Sequence, residues 1–402
     1  MTLSDICKII VDCPHSTAED EGAGIPLIRT PNIGKGRFVL EGVHRVCDSV
    51  YNQRCARAIP QDDDIIFARE APAGNAAIIK NGQKVCLGQR TVLIRPDAAK
   101  VIPDYLVYYL LAPKQQYKLL GTANGATVAH VNLPTIREMK VDNLPPLPVQ
   151  RRIADILSAY DDLIENNRKQ IKLQEEAAQR LYKEWFIDLR FPGHEHTPII
   201  NGVPKGWMKK SISVFFETVL GGTPSRSNKN FWGGTIPWIN SGAVNKTRIY
   251  EASEFITDEG LRKSATKLMP KHTTVLAITG ATLGQVSYTE IDVCANQSVV
   301  GIIPCSEEIS EYLFMYISNN IGAIISKATG GAQQHINKDI VNDYPFLLPA
   351  PSVISDFYKI MTPLFNTTFL RFWENKYLVQ SRDSMLFKIM NDEANSLMRN
   401  CR

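Results

Sequence analysis

The chain has 402 residues, 44% of them hydrophobic and 21% charged, and a formal net charge of +4. That balance excludes a disordered or fibrous polymer, and the length leads us to expect two or three domains, each able to bury a core of its own. No run of about 18 apolar residues occurs and the first residues lack the basic and apolar regions of a signal peptide, so a cytoplasmic protein is expected.

The first module is read over residues 1–148. Ile25-Pro26-Leu27-Ile28, Ile65-Ile66-Phe67-Ala68, Ala76-Ala77-Ile78-Ile79 and Val92-Leu93-Ile94 are short, apolar and bounded by Gly, Pro or Asn, which predicts strands. One helix is predicted near 103–120. The module ends at the proline-rich stop Leu144-Pro145-Pro146-Leu147-Pro148, which should be extended and places a proline just ahead of a helix. From Val149 to about Leu189 there is neither proline nor glycine. Leu157, Ile164, Ile171, Ala178 and Trp185 recur there every seven residues, flanked by Ile153, Tyr160, Asn167, Gln174 and Leu181. This predicts a coiled-coil spacer helix over 149–190, whose polar interruptions can fix register and partner.

The second module is read over 191–350. Ile236-Pro237-Trp238-Ile239, Val275-Leu276-Ala277-Ile278 and Val299-Val300-Gly301-Ile302-Ile303 predict strands, with a helix near 308–327 and a second proline stop, Leu347-Leu348-Pro349-Ala350-Pro351. A C-terminal spacer helix follows over 351–402, carrying Phe357 and Leu364 on its apolar face and a kink expected at Pro363. Two long helices with so much apolar surface are expected to pack on each other, antiparallel, with the modules held apart on a rod.

The halves repeat each other. Ile25-Pro26-Leu27-Ile28, Ile65 to Ala68, Gly74, Gln89, Tyr105 to Tyr109 and His130-Val131-Asn132 recur in order as Ile236 to Ile239, Val275 to Ile278, Gly284, Gln297, Tyr312 to Tyr316 and His335-Ile336-Asn337, displaced by roughly 205 to 211 residues. The fold class is therefore α+β: two similar mixed modules joined by two long antiparallel coiled-coil helices.

The strings Gly221-Gly222-Thr223-Pro224-Ser225, Trp232-Gly233-Gly234 with Ile236 to Gly242, Thr279-Gly280-Ala281-Thr282-Leu283-Gly284, and Leu144-Pro145-Pro146-Leu147-Pro148 with Gln150, Ile153 and Ala154 resemble the DNA specificity subunits of type I restriction-modification systems. The resemblance covers nearly the whole chain. It implies two target recognition domains, each reading half of a split DNA sequence, with spacer helices that dock two modification (methyltransferase) subunits and restriction subunits. It also implies that this chain carries no chemistry and binds no cofactor, while S-adenosylmethionine, ATP and Mg2+ sit on partner subunits. Where the second half has Gly222 to Ser225 and Thr279 to Thr282, the first has Pro14-His15-Ser16-Thr17 and Arg69-Glu70-Ala71-Pro72, as expected of modules that read different half-sites. Two alternatives stay open: the recognition subunit of a fused type II-like restriction-methylation enzyme, and a coiled-coil protein-interaction scaffold.

Signs of catalysis are weak. Asn143-Leu144-Pro145-Pro146-Leu147 has an inserted residue and no aromatic where an adenine methyltransferase loop needs one, and no Gly-x-x-x-x-Gly-Lys phosphate loop occurs. Asp62-Asp63-Asp64 reads as a solvated turn. The eight cysteines include no Cys-x-x-Cys pair, so neither metal nor disulfide is expected. His130 and His335, each after a loop of small and amide residues, are read as satisfying a buried carbonyl ahead of touching a base. A charge of +4 is small for a protein that holds DNA alone, so contact loops should mix Arg, Lys, Asn and Gln with glycine. In the first module these are Arg29, Asn32, Lys35 and Arg37, then Arg69 and Asn75, then Arg90. The second module offers Ser225, Arg226, Asn228 and Lys229, then Asn240, Asn245, Lys246 and Arg248, and finally Gln333, Gln334 and His335.

Overall fold

The computed structural model describes residues 1–121, 130–142, 144–328 and 334–390. Asn143, Gln333, Cys401 and the small-residue loops before His130 and before Gln334 lie outside the described residues. The chain forms two compact units: residues 1–168 with 373–402, and residues 169–372. Each unit therefore contains one module together with a portion of both long helices.

In the first unit an antiparallel sheet runs in the order Cys7–Asp12, Thr91–Pro96, Ile65–Ala68, Ala76–Ile78. A smaller sheet sets Ile25–Ile28 between Arg45–Val46, antiparallel, and Cys86–Leu87, parallel. The second unit repeats both. Its larger sheet runs Glu217–Leu220, Val299–Ile303, Thr274–Ala277, Val286–Thr289, Arg248–Ile249, and its smaller one sets Trp232–Ile239 between Glu254–Ile256 and Val293–Ala295. The parallel pairing of Leu27 with Cys86 returns as Trp238 with Cys294. Strands form here because β-branched side chains pack from both faces, and Ile65–Ala68 is buried at every position.

Register corrects the repeat by one residue. Phe67 faces Val92 and Ala76 as Leu276 faces Val300 and Val286. Ile65 to Ala68 thus match Thr274 to Ala277, not Val275 to Ile278. Thr274 interrupts the apolar run and so looks like a boundary, yet it is fully buried. The extra residue is taken up in the following loop, where Gly74 N–H bonds to Ala68 O and Gly284 N–H to Ala277 O. Arg69 consequently matches Ile278, and Glu70 matches Thr279.

The helix expected over 103–120 is two, Pro103–Leu111 and Pro113–Leu120. Pro113 disfavours helical backbone in Ala112, which is extended and serves as the end of one helix and the start of the next. Its counterpart, Ser310–Ile325, has no proline and continues unbroken. The solvated turn expected at Asp62 to Asp64 holds for Asp62 and Asp63, which are exposed, and is corrected at its last residue. Asp64 is buried and held by Arg95 through two contacts of 2.8 Å.

The central helix spans Leu147–Tyr182 and passes into a π-turn, Lys183–Ile187; the C-terminal helix spans Pro351–Met390 with Pro363 inside it. They pair antiparallel within each unit. In the first, Ile153 and Leu157 join the core that holds Leu386 and Ile389, and Asn167 Nδ2 bonds to Glu374 Oε2 at 3.0 Å and Asn375 Oδ1 at 3.1 Å. In the second, Ala178, Leu181 and Trp185 pack with Phe357 and Leu364, and Thr368 Oγ1 donates to Gln174 Oε1 at 3.2 Å. Leu157, Ile164, Trp185 and Phe357 are buried and Ile171 is half-buried. No described helix is long and apolar enough to cross a membrane.

Candidate nucleic-acid interface

Several residues expected at the surface are committed to the interior. Ile78 N–H bonds to Gly36 O as Tyr288 N–H bonds to Thr247 O, so Arg37 and Arg248 occupy the same station in the two modules. Both are buried and both reach a long helix. Arg37 Nη2 meets Asp162 at 2.9 Å; Arg248 Nη1 meets Glu290 at 2.6 Å and the Phe365 carbonyl at 2.9 Å, with its guanidinium 3.8 Å above the Phe365 ring. They anchor module to helix and have no edge to offer a base. Asn32 is likewise internal, accepting from Arg29 N–H and donating to Val39 O, and Asn75 donates to Ile33 O. Lys35 is exposed and pairs with Asp383 at 3.6 Å.

Of the candidates left at the surface, Arg90 and Ser225 to Lys229 lie next in sequence to a side-chain brace that both modules make. Thr17 Oγ1 donates to Gln89 Oε1 at 3.3 Å, and Thr223 Oγ1 to Gln297 Oε1 at 2.6 Å. Trp238 takes up the space beside the second brace and donates from Nε1 to Gly222 O.

In the first module the residue after Gln89 is Arg90, exposed, with a φ of 65°. Its guanidinium pairs with Glu70 Oε2 at 2.5 Å, while Glu70 Oε1 accepts from His130 Nδ1 at 2.5 Å. Arg69 Nη2 donates to His130 Nε2 at 2.9 Å, and Arg69 Nε to Val131 O. An arginine can only donate and an ionised carboxylate can only accept, so His130 carries its proton on Nδ1. Its contacts are therefore to side chains, not to the buried carbonyl expected; Arg69 makes that contact instead. Arg69 is buried, and of this cluster Arg90 alone presents a largely exposed side chain.

In the second module the weight lies on the loop that follows Thr223. Arg226 is exposed and paired through both terminal nitrogens with Glu254, and its guanidinium lies 3.7 Å above the Trp232 ring. Stacking and a forked ion pair fix its direction more firmly than either alone. Ser225 and Ser227 share a hydroxyl contact of 2.8 Å, Asn228 accepts from Asn230 N–H, and Asn240 accepts from Gly242 N–H. Lys229, Asn245, Lys246, Gln334 and His335 are exposed. Glu70, Glu254 and Trp232 were not among the expected contact residues, because a search for base-reading cations passes over the acids and rings that aim them. The signal available was the string of opposite charges on Arg69 and Glu70.

The pattern of the type I restriction modification DNA specificity domain matches residues 1–175 and 204–371. The chain belongs to that family. Relatives include the HindI specificity subunit of Haemophilus influenzae, 23% identical over 82% of this chain and 86% of that one, and the MjaIX specificity subunit of Methanocaldococcus jannaschii, 24% identical over 97% and 92%. The fold is also that of a type I S subunit from M. genitalium, with a TM-score of 0.58 at 14% identity, covering 98% of this chain and 96% of that one. The chain is a DNA-recognition component and not an enzyme. Among the described residues no group of His, Cys, Asp and Glu is arranged to hold a metal.

Proposed function

We propose that this chain reads a split DNA sequence, one half-site per module, and docks two modification subunits and the restriction subunits of a cytoplasmic type I complex. S-adenosylmethionine, ATP and Mg2+ belong in this reading to the partners. The observation that carries it is a frame of matching strand pairings in both modules, bearing different exposed polar groups: an Arg90–Glu70–His130 cluster in one module, an Arg226–Trp232–Glu254 stack in the other. A duplicated frame with unlike contacts suits a target of two unlike halves. Docking is supported by apolar side chains that the helices leave exposed beyond their common seam, among them Ile156, Leu163, Leu173, Leu370 and Tyr377.

Methylome mapping of cells carrying the system with and without this chain tests the reading. A split motif, modified on both strands only when the chain is present, is expected. An uninterrupted motif, or one independent of the chain, ends it. Adding one heptad to each helix at facing positions should lengthen the gap between half-sites and leave the bases unchanged.

A further inference from the structure

We propose that Arg90, aimed by Glu70, reads a guanine in the half-site of the first module, and that the second module has no guanine reader at its matching corner. This rests on the DNA-reading function proposed above and assigns a residue to one base pair of it.

The two corners share their backbone hydrogen bonds. Arg69 N–H bonds to Arg90 O at 3.0 Å and Val131 N–H to Arg69 O at 3.0 Å; Ile278 N–H bonds to Ser298 O at 2.9 Å and Ile336 N–H to Ile278 O at 3.0 Å. His130 and His335 are the same residue at the same station. Yet Arg69, Glu70 and Arg90 are replaced by Ile278, Thr279 and Ser298. Because the frame closes in the second unit with none of these charges, the fold does not require them in the first.

The backbone at Arg90 argues the same way. A φ of 65° is strained for a residue with a Cβ, and Gly or Asn would relieve it. Ser298 is not among the left-handed residues. An arginine kept where the backbone disfavours it is there for its side chain. That side chain is about half exposed, at 55%, whereas Glu70 is 15% exposed and has both oxygens occupied, by His130 and by Arg90. Glu70 is thus a positioning residue. It restrains one side of the guanidinium and leaves further N–H groups of the fork able to meet the adjacent O6 and N7 acceptors that guanine presents in the major groove.

The test uses the full chain assembled with its modification subunit and a random duplex library in which two randomised segments flank spacers of varied length. Selection and sequencing give a preference at each position. The wild type should return two half-sites, one of them containing a guanine that depends on this corner. Arg69→Ile, Glu70→Thr and Arg90→Ser together install the side chains of the other module, so the frame should stay folded, with an unchanged melting temperature. Preference at one base pair should fall by about ten- to a hundredfold, the range expected of one bidentate contact, with the second half-site intact. Arg90→Lys keeps the charge without the fork and should keep overall affinity while losing that preference. Glu70→Gln should lose part of it. A wild type that returns no motif overturns the DNA reading and this assignment together. A motif unchanged in the triple variant, or weakened evenly across both half-sites at an unchanged melting temperature, overturns the assignment alone.

Discussion

The same arginine station serves both modules under different conditions, and the difference separates what holds a module from what a module says. Arg248 is 4% exposed and faces Glu290, itself 7% exposed; Arg37 is 10% exposed but faces Asp162, which is 66% exposed. Both tie a module to a helix. Only in the second unit is the arginine's carboxylate partner buried as well. At the surface the order is reversed, with the first module joining four polar side chains in one cluster and the second laying a single arginine on a ring. Anchors keep their place and vary in depth, whereas the exposed polar groups vary in identity.

The largest expected effect breaks that symmetry at the anchor. Arg248→Ala leaves Glu290 buried without its partner and should destabilise the second unit by about 3–5 kcal/mol, the usual consequence of halving a buried pair. Arg37→Ala leaves Asp162 in water and should cost about 1 kcal/mol, close to an exposed pair with some lost packing. Urea unfolding followed by hydrogen exchange in each unit measures both, and equal losses would show that partner burial does not set the difference.

A smaller effect is expected at the contact group of the second module. Arg226→Ala should reduce base preference in one half-site by about tenfold, from loss of a directed fork over Trp232. The other half-site should keep its preference, because Arg226 bonds only within its own module. Binding to duplexes changed one base pair at a time decides it. Arg226 also leaves Glu254 exposed to water, so the melting temperature should hardly move.

The smallest effect concerns pH and has opposite signs at buried and at exposed carboxyls. Burial pushes the Glu290 and Glu311 carboxyls above their ordinary value of 4.5, in Glu290 despite an arginine at 2.6 Å. The folded second unit then keeps protons that the unfolded chain has released. That contribution is fully present below about 4.5 and is lost as pH rises through the raised values. In the first unit a hydrogen bond from Lys118 holds Asp142 below its ordinary 3.8, so its contribution is present above that value and is lost as pH falls through the lowered one. Glu311→Gln should flatten the decline of the second unit as pH rises above the ordinary carboxyl value of 4.5, measured by hydrogen exchange. A decline as steep as before would place the proton elsewhere.

The strands, both proline stops and the heptad seam were legible in the sequence because each depends on residues near one another along the chain. Leu157, Ile164 and Trp185 follow from spacing alone. Depth was not legible where it is set by distant partners. Arg37 and Arg248 sit in loops that look like contact loops, and only Asp162 and the Phe365 carbonyl, far along the chain, make them anchors. Thr274 misled for a related reason, since a hydroxyl in an apolar run signals a boundary unless the strands on either side bury it. Among the surface candidates, residue type identified Arg90 and Arg226, but their direction depends on Glu70, Glu254 and Trp232, which no preference for base-reading side chains would select.

The first unit is built from two stretches far apart in sequence. Leu386 and Ile389 complete a core that begins with Leu3 and Ile6. During synthesis the first module must therefore wait, its helix stripe around Leu157 uncovered, until the whole second unit and the final helix have been made. At about 5–20 residues per second that interval is on the order of ten to forty seconds. A chain cut short between residues 372 and 386 would hold all the residues of the second unit and leave the seam of the first open around Leu157.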